Sequence, residues 1–165
     1  GMYRKALQID PDYADPIGNI GLSLAEQGKV EESITQFSKA LEINPKDIKT
    51  LNNLGASLIV MRRYTEAVQH LSKALTLDPY YAQAHNNLGA ALQRQGRVEE
   101  AIEHFSMAVK LDPNYARAFN NLGTVLAIQG RFEEAVEQFS AALKINPAYE
   151  SARINMEKSL KALND

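Results

Sequence analysis

The stretch that decides the fold is residues 82–115, which read AQAHNNLGAALQRQGRVEEAIEHFSMAVKLDPNY. Its first glycine and its proline recur at a constant interval of 34 residues along the chain. The recurring residues are Gly21, Gly55, Gly89 and Gly123, and Pro11, Pro45, Pro79, Pro113 and Pro147. A fixed period of this size indicates a stacked array of helical hairpins.

Within the unit, apolar residues lie three or four apart in the second half, which predicts one apolar face on a second helix. They are Ala101, Ile102, Phe105, Ala108 and Val109. We expect Gly89 to lie opposite Ala101, where two small residues let the helices approach closely. Gly96 marks the turn between the helices, because a left-handed residue there favours glycine. Arg62 holds this place in the preceding unit, which predicts a strained or different turn.

The unit resembles a tetratricopeptide repeat in several registers at once. The residues at the positions for which the family has preferences are Leu88, Gly89, Leu92, Ala101, Phe105, Ala108 and Pro113. One register departs from the family, because Leu24, Leu58, Leu92 and Leu126 stand where it often has tyrosine. The resemblance implies an all-α fold, a right-handed superhelical array of stacked helix-turn-helix repeats with a concave groove.

The repeat divides the 165 residues into one array with incomplete ends. The predicted segments are a partial repeat at 2–13 with only a second helix (Met2–Ile9), full repeats at 14–47, 48–81, 82–115 and 116–149, and a carboxy-terminal capping helix at 150–165. In the capping helix we expect Met156, Leu160 and Leu163 to pack, while Glu157, Lys158 and Lys161 form a polar outer side. The uncovered partial repeat also predicts self-association through an open amino-terminal face.

Composition limits the classes of function. Hydrophobic residues make up 45% and charged residues 23% of the chain, which is ordinary for a soluble domain. The net charge of −2 does not favour nucleic acid as a partner. No apolar run reaches the roughly 18 residues of a membrane span, so we expect no membrane contact. The chain has no cysteine, which agrees with a cytoplasmic location.

The resemblance also implies which residues line the groove. Counting each repeat from its first residue, such as Ala82, the groove positions are 2, 5, 6, 9, 12 and 13. Position 6 is always asparagine, namely Asn19, Asn53, Asn87, Asn121 and Asn155, and position 5 adds Asn52, Asn86 and Asn120. A primary amide can both donate to and accept from the backbone of an extended peptide. The row resembles the asparagine ladder in the repeats of O-linked N-acetylglucosamine transferase. The alternative is that each asparagine bonds to a neighbouring repeat.

Charges at the groove positions change sign along the chain. Asp15 and Glu26 precede the basic residues Lys49, Arg94, Arg117, Lys158 and Lys161. A peptide or protein with acidic residues is therefore the expected partner, although solvated charges are the alternative for each single residue. The carboxylate clamp of the family is not expected. Its lysine, asparagine and arginine positions hold Gly18, Leu22, Asn53, Gln83 and Asn87, or one repeat later Asn52, Ala56, Asn87, Arg117 and Asn121.

Nothing in the sequence indicates an enzyme or a cofactor. His70 and His104 share one repeat position, and His85 is expected to pack. No zinc spacing, phosphate loop or nucleophile turn accompanies them. Two hypotheses remain. The first is a non-catalytic scaffold that binds an extended peptide in its groove. The second is an accessory, substrate-recruiting region of a larger enzyme such as a glycosyltransferase.

Overall fold

The computed structural model describes residues 15–164 of the chain. Within that range the backbone forms nine α-helices and no strand. They are α1 (Asp15–Glu26), α2 (Val30–Ile43), α3 (Ile48–Val60), α4 (Tyr64–Leu77), α5 (Ala82–Arg94), α6 (Val98–Leu111), α7 (Ala116–Ile128), α8 (Phe132–Ile145) and α9 (Glu150–Asn164). The predicted fold class, all-α with helix-turn-helix repeats, is confirmed. The predicted helix Met2–Ile9 and the open amino-terminal face lie outside the described residues.

The turn inside each hairpin has a left-handed residue, as the sequence predicts. Gly28, Gly96 and Gly130 have φ of 78°, 79° and 74°. After α5, the Gly96 N–H donates to the Gln93 carbonyl at 3.0 Å, which satisfies a carbonyl at the helix end. Arg62 adopts the same conformation with φ of 59°. The α3/α4 turn therefore keeps its shape but is strained, because a Cβ is unfavourable in this region.

An arginine and a glutamate join at the start of three of the second helices. Before α6, the Arg97 Nε and Nη2 donate to the two carboxylate oxygens of Glu100, each at 2.6 Å. Arg63 with Glu66 and Arg131 with Glu134 repeat this pair. The hydrogen bond from Arg97 lowers the pKa of Glu100. The pairs are exposed, so they add little stability.

The constant spacing of the first glycine is explained by a large side chain on the second helix. A Cβ on Gly89 would lie 2.9 Å from Phe105 Cδ1, which is too close. Gly21 with Phe37, Gly55 with Leu71, and Gly123 with Phe139 repeat the contact. The expected close approach is therefore present, and the atoms nearest to a Cβ on Gly89 belong to Phe105, which the spacing did not predict. Helical side chains lean toward the amino terminus, so the ring of Phe105 reaches back to Gly89.

The chain divides into two compact units, Gly1–Pro79 and Tyr80–Asp165. In the N-terminal unit the hairpins α1/α2 and α3/α4 meet where α2 packs against α3. In the C-terminal unit α6 packs against α7, and α8 packs against α9. None of the described helices has the length and apolar character needed to span a bilayer.

The last helix, α9, packs through different residues from those expected. Its buried residues are Ala152 and Ser159. Leu160 and Leu163 are 41% and 38% exposed, so their predicted packing is wrong. The residues equivalent to Leu160 in three complete repeats, Leu58, Leu92 and Leu126, are buried, and within the described residues no second helix follows α9 to cover Leu160. Glu157, Lys158 and Lys161 are exposed as predicted.

Candidate peptide-binding groove

In the C-terminal unit, the position-6 asparagines link successive repeats. The Asn121 Nδ2 donates to the Asn86 Oδ1 at 2.8 Å. One repeat later, the Asn155 Nδ2 donates to the Asn120 Oδ1 at 3.2 Å and lies 3.3 Å from the Thr124 Oγ1. Asn121 and Asn155 therefore each point the amide nitrogen at position 5 of the preceding repeat. The Oδ1 atoms of these two residues make no hydrogen bond to another described residue.

The position-5 asparagine Asn86 is buried in a polar network. Its side chain is 1% exposed, and its Nδ2 donates to the Tyr115 Oη at 3.3 Å. The Asn86 Nδ2 also lies 3.4 Å from the Asn87 Oδ1. The Tyr115 Oη in turn accepts from the Arg117 Nη2 at 3.1 Å, and the guanidinium lies over the tyrosine ring. This network connects two predicted groove residues, Arg117 and Asn121, through a buried amide.

Two pockets in the C-terminal unit are lined in part by these asparagines. The larger has a volume of about 500 Å³ and is lined by Gln93, Arg94, Val98, Asn120, Asn121, Thr124, Val125 and Ile128. The smaller has a volume of about 230 Å³ and is lined by Thr124, Ala127, Ile128, Phe132, Phe139, Asn155, Lys158 and Ser159. They share Thr124 and Ile128, so they are neighbours. We call the surface formed by these two linings the C-terminal groove.

The asparagine row and the charge pattern do not include the two shared residues, Thr124 and Ile128. They lie at positions 9 and 13, which the family resemblance already assigned to the groove. Ile128 is 65% exposed, so it presents apolar surface at a groove position. An apolar residue at a groove position was therefore the available signal. It was missed because only polar residues were considered as ligand contacts.

The N-terminal unit places its predicted groove residues differently. Asn19 and Lys49 are exposed, and Asn53 is half-buried. The Asn52 side chain is buried, and its Nδ2 donates to the Asn53 Oδ1 at 3.4 Å. Position 5 of the first repeat is Gly18, which has no amide to accept a bond from Asn53.

Among the predicted basic groove residues, Arg94 lines the larger pocket. It lies in the last turn of α5, where a positive charge is favoured by the helix dipole. Arg117 is exposed and held by Tyr115. Lys49 is exposed, and it contributes its backbone N–H to the Asp47 side chain that caps α3. Lys158, also basic, lines the smaller pocket.

The histidines form a pair that the sequence did not reveal. His85 Nδ1 and His104 Nδ1 lie 2.9 Å apart, so one nitrogen donates and the other accepts. Burial, and then the neighbouring His85, lowers the pKa of His104. Burial, and then Lys73, lowers the pKa of His70. The described part of the chain has no group of three or more side chains suited to a metal ion.

Comparisons with known proteins agree with this architecture. A tetratricopeptide repeat model matches residues 46–112 and 80–148, and a TPR repeat model matches residues 21–58. No curated protein matches the chain. The structure is similar to that of pilF from Pseudomonas aeruginosa, with 28% identity, a TM-score of 0.85, and coverage of 93% of this chain and 70% of pilF.

Two further solved structures share the fold. YrrB, a TPR protein with an unusual peptide-binding site, is 25% identical with a TM-score of 0.72, over 99% of this chain and 90% of YrrB. MamA is 24% identical with a TM-score of 0.78, over 93% of this chain and 84% of MamA. The repeats and these similarities identify a protein-interaction scaffold of a generally non-enzymatic fold. The chain belongs to the tetratricopeptide repeat family.

Proposed function

We propose that the C-terminal groove binds an extended peptide segment of a partner protein. The observation that carries the proposal is the orientation of Asn121 and Asn155. Their Nδ2 atoms are committed to Asn86 and Asn120, so each presents its Oδ1 as an acceptor. An extended peptide has free backbone N–H groups, which such acceptors suit irrespective of side chain.

Burial divides the predicted asparagines into two roles. Asn86 and Asn120 are 1% and 8% exposed, so their proposed role is to position the next asparagine, although Asn120 also lines the larger pocket. Asn121 and Asn155 are half-buried and line the pockets, so they are the proposed peptide contacts. The exposed or half-buried residues Asn19, Asn53, Lys49 and Arg117 are proposed as further contacts, each within its own unit, whereas Asn52 and Asn87 are buried like Asn86. The role proposed for the chain is binding, without a catalytic step or a cofactor.

The test is selection of binding peptides from a random phage-displayed library, followed by affinity measurement with variants. Asn121→Ala and Asn155→Ala should each weaken binding by about twofold to tenfold, since one hydrogen bond is worth about 0.5–1.5 kcal/mol. Asn114→Ala is the matched control, because Asn114 is an exposed asparagine in the turn before α7. Amide shifts in a ¹⁵N spectrum should locate the peptide at Thr124 and Asn121.

A second control separates binding from stability. Asn86→Ala removes the hydrogen bond that Asn121 donates to Asn86 but leaves the Asn121 side chain in the groove. It should therefore weaken binding less than Asn121→Ala does. Equal effects of the two variants would return Asn121 to a purely structural role. Peptide-induced shifts confined to residues outside the groove would overturn the proposed function.

A further inference from the structure

The C-terminal groove has a basic residue in each pocket and no acidic residue in either lining. Arg94 lines the larger pocket and Lys158 the smaller one. Neither takes part in an ion pair among residues 15–164. Glu99 adjoins Val98 in the chain, but it accepts a hydrogen bond from Gln129 and lines neither pocket. The groove therefore lacks a carboxylate of its own to neutralise either cation.

An apolar surface lies between the two cations. Ile128 belongs to both pockets and is 65% exposed. In the smaller pocket it adjoins Phe132 and Phe139, so most of that lining is apolar. Covering exposed apolar surface is favourable by about 25 cal/mol per Å². A ligand side chain that covers Ile128 would therefore gain from contact at the centre of the groove.

We infer that the preferred partner segment carries an apolar residue flanked by acidic residues. This inference rests on the proposed function, because it assumes an extended peptide held by Asn121 and Asn155. The apolar side chain covers Ile128, one carboxylate meets Arg94, and the other meets Lys158. The complementary charge is what selects such a segment over a neutral or basic one.

The position of Arg94 has a structural explanation that the experiment must exclude. A cation in the last turn of a helix is favoured by the dipole alone. Lys110 provides a matched control, because it is an exposed cation in the last turn of α6 and lines neither pocket. Arg94→Glu and Lys110→Glu thus make the same change at equivalent helix ends.

The experiment uses the full chain and the peptides selected from the random library. Their sequences should be enriched in an apolar residue with aspartate or glutamate on both sides. For one such peptide, Arg94→Glu and Lys158→Glu should each weaken binding at least tenfold, and Lys110→Glu less than twofold. Replacing an acidic residue of the peptide by lysine should restore binding to Arg94→Glu or to Lys158→Glu. Added salt should weaken binding of the unchanged pair.

The outcomes separate this inference from the proposed function. Peptides that bind at Asn121 and Thr124 but have neutral or basic sequences would overturn the inference and leave the groove assignment standing. Equal loss of affinity in Arg94→Glu and Lys110→Glu would overturn it as well. Circular dichroism of each variant checks that the helices remain, and Arg94→Gln removes the charge without adding a carboxylate if Arg94→Glu unfolds.

Discussion

The two units join their successive repeats in different ways. In the C-terminal unit, the amide of Asn121 donates to Asn86, and that of Asn155 donates to Asn120. In the N-terminal unit Gly18 holds the accepting position, so Asn53 has no equivalent partner. That joint has instead a buried hydrogen bond between the hydroxyls of Ser33 on α2 and Ser57 on α3, at 3.2 Å.

The location of these bonds explains why the difference matters. Ser33 and Ser57 are buried in the core, so their bond orients nothing at the surface. The amide bonds of the C-terminal unit orient Asn121 and Asn155, which line pockets. Some hydrogen bonds between repeats therefore only hold the helices together. Others also set the direction of an amide at the surface. The second kind is what makes the C-terminal unit the better candidate for binding.

The largest effect we expect is from Asn86→Ala, which breaks the amide joint of the C-terminal unit. The change removes the acceptor of Asn121 and one partner of Tyr115, so it should destabilise the unit by about 1–3 kcal/mol. Amide hydrogen exchange across α5, α6 and α7 measures this locally. Exchange should accelerate there and stay unchanged in α1 and α2.

The reciprocal variant, Gly18→Asn, supplies the missing amide to the N-terminal unit. A Cβ at Gly18 would lie 3.2 Å from the Thr50 Oγ1, so the new side chain fits with a small adjustment. Gly18→Asn should slow amide hydrogen exchange in α1. The slowing should be smaller when Asn53 is also changed to alanine. An unchanged gain in that double variant would mean that helix propensity alone, and no amide joint, accounts for it.

Much of the fold was predictable because two local constraints recur along the chain. Gly89 must lack a side chain to accommodate its neighbour, and Gly96 must adopt a left-handed backbone. Both requirements are local to a hairpin and are visible as a period in the sequence. The identity of the neighbour was not predictable from spacing alone. Phe105 reaches Gly89 because of the direction in which its side chain leans, which a count of residues does not contain.

The candidate site was predictable only in part. The row of position-6 asparagines was visible in the sequence. The direction of the Asn121 amide, however, depends on the buried side-chain oxygen of Asn86, Oδ1. The contact between His85 and His104 joins positions 4 and 23 of one repeat, on opposite sides of a turn. Finding it required the register of two packed helices. The sequence contained both residues but not the distance between their rings.

The next prediction concerns a second difference between the units, the turn at Arg62. This residue has φ of 59°, whereas Gly96 has φ of 79° at the same place in the C-terminal unit. Arg62→Gly should remove a left-handed cost of about 1–2 kcal/mol, partly offset by the greater entropy of glycine in the unfolded chain. We expect a net stabilisation of about 0.5–1 kcal/mol, measured by urea unfolding.

The matched variant for this turn is Gly96→Arg, which should lower stability. No heavy atom lies within 4 Å of a Cβ built on Gly96, so any loss reports backbone strain without a clash. If Arg62→Gly left stability unchanged while Gly96→Arg reduced it, the two turns would differ in more than their φ angles. A cause other than the φ angle would then have to explain why the two turns respond differently.

The smallest effect we expect is a difference between the units in how stability depends on pH. Position 4 is His85 in the C-terminal unit and Leu51 in the N-terminal unit. Burial and the nearby His85 hold the pKa of His104 below its usual 6.5. The unfolded chain therefore binds more protons than the folded one as pH falls below about 6.5. Stability should decline from that pH down to the lowered pKa of His104, and then level off. Double protonation would also break the bond between the two Nδ1 atoms.

The measurement is the free energy of unfolding at several pH values between neutral and mildly acidic. His70→Gln comes first, because the pKa of His70 is also lowered by burial and would add to the slope. In that background, His85→Leu should reduce the remaining dependence, since it removes the contribution of His85, second to burial, to the lowered pKa of His104. With only three histidines in the chain, a slope that persists after both changes must come from His104 alone or from the carboxylates. Adding His104→Gln decides between them, and a slope unaffected by all three changes would show that the histidine pair does not make the C-terminal unit sensitive to acid.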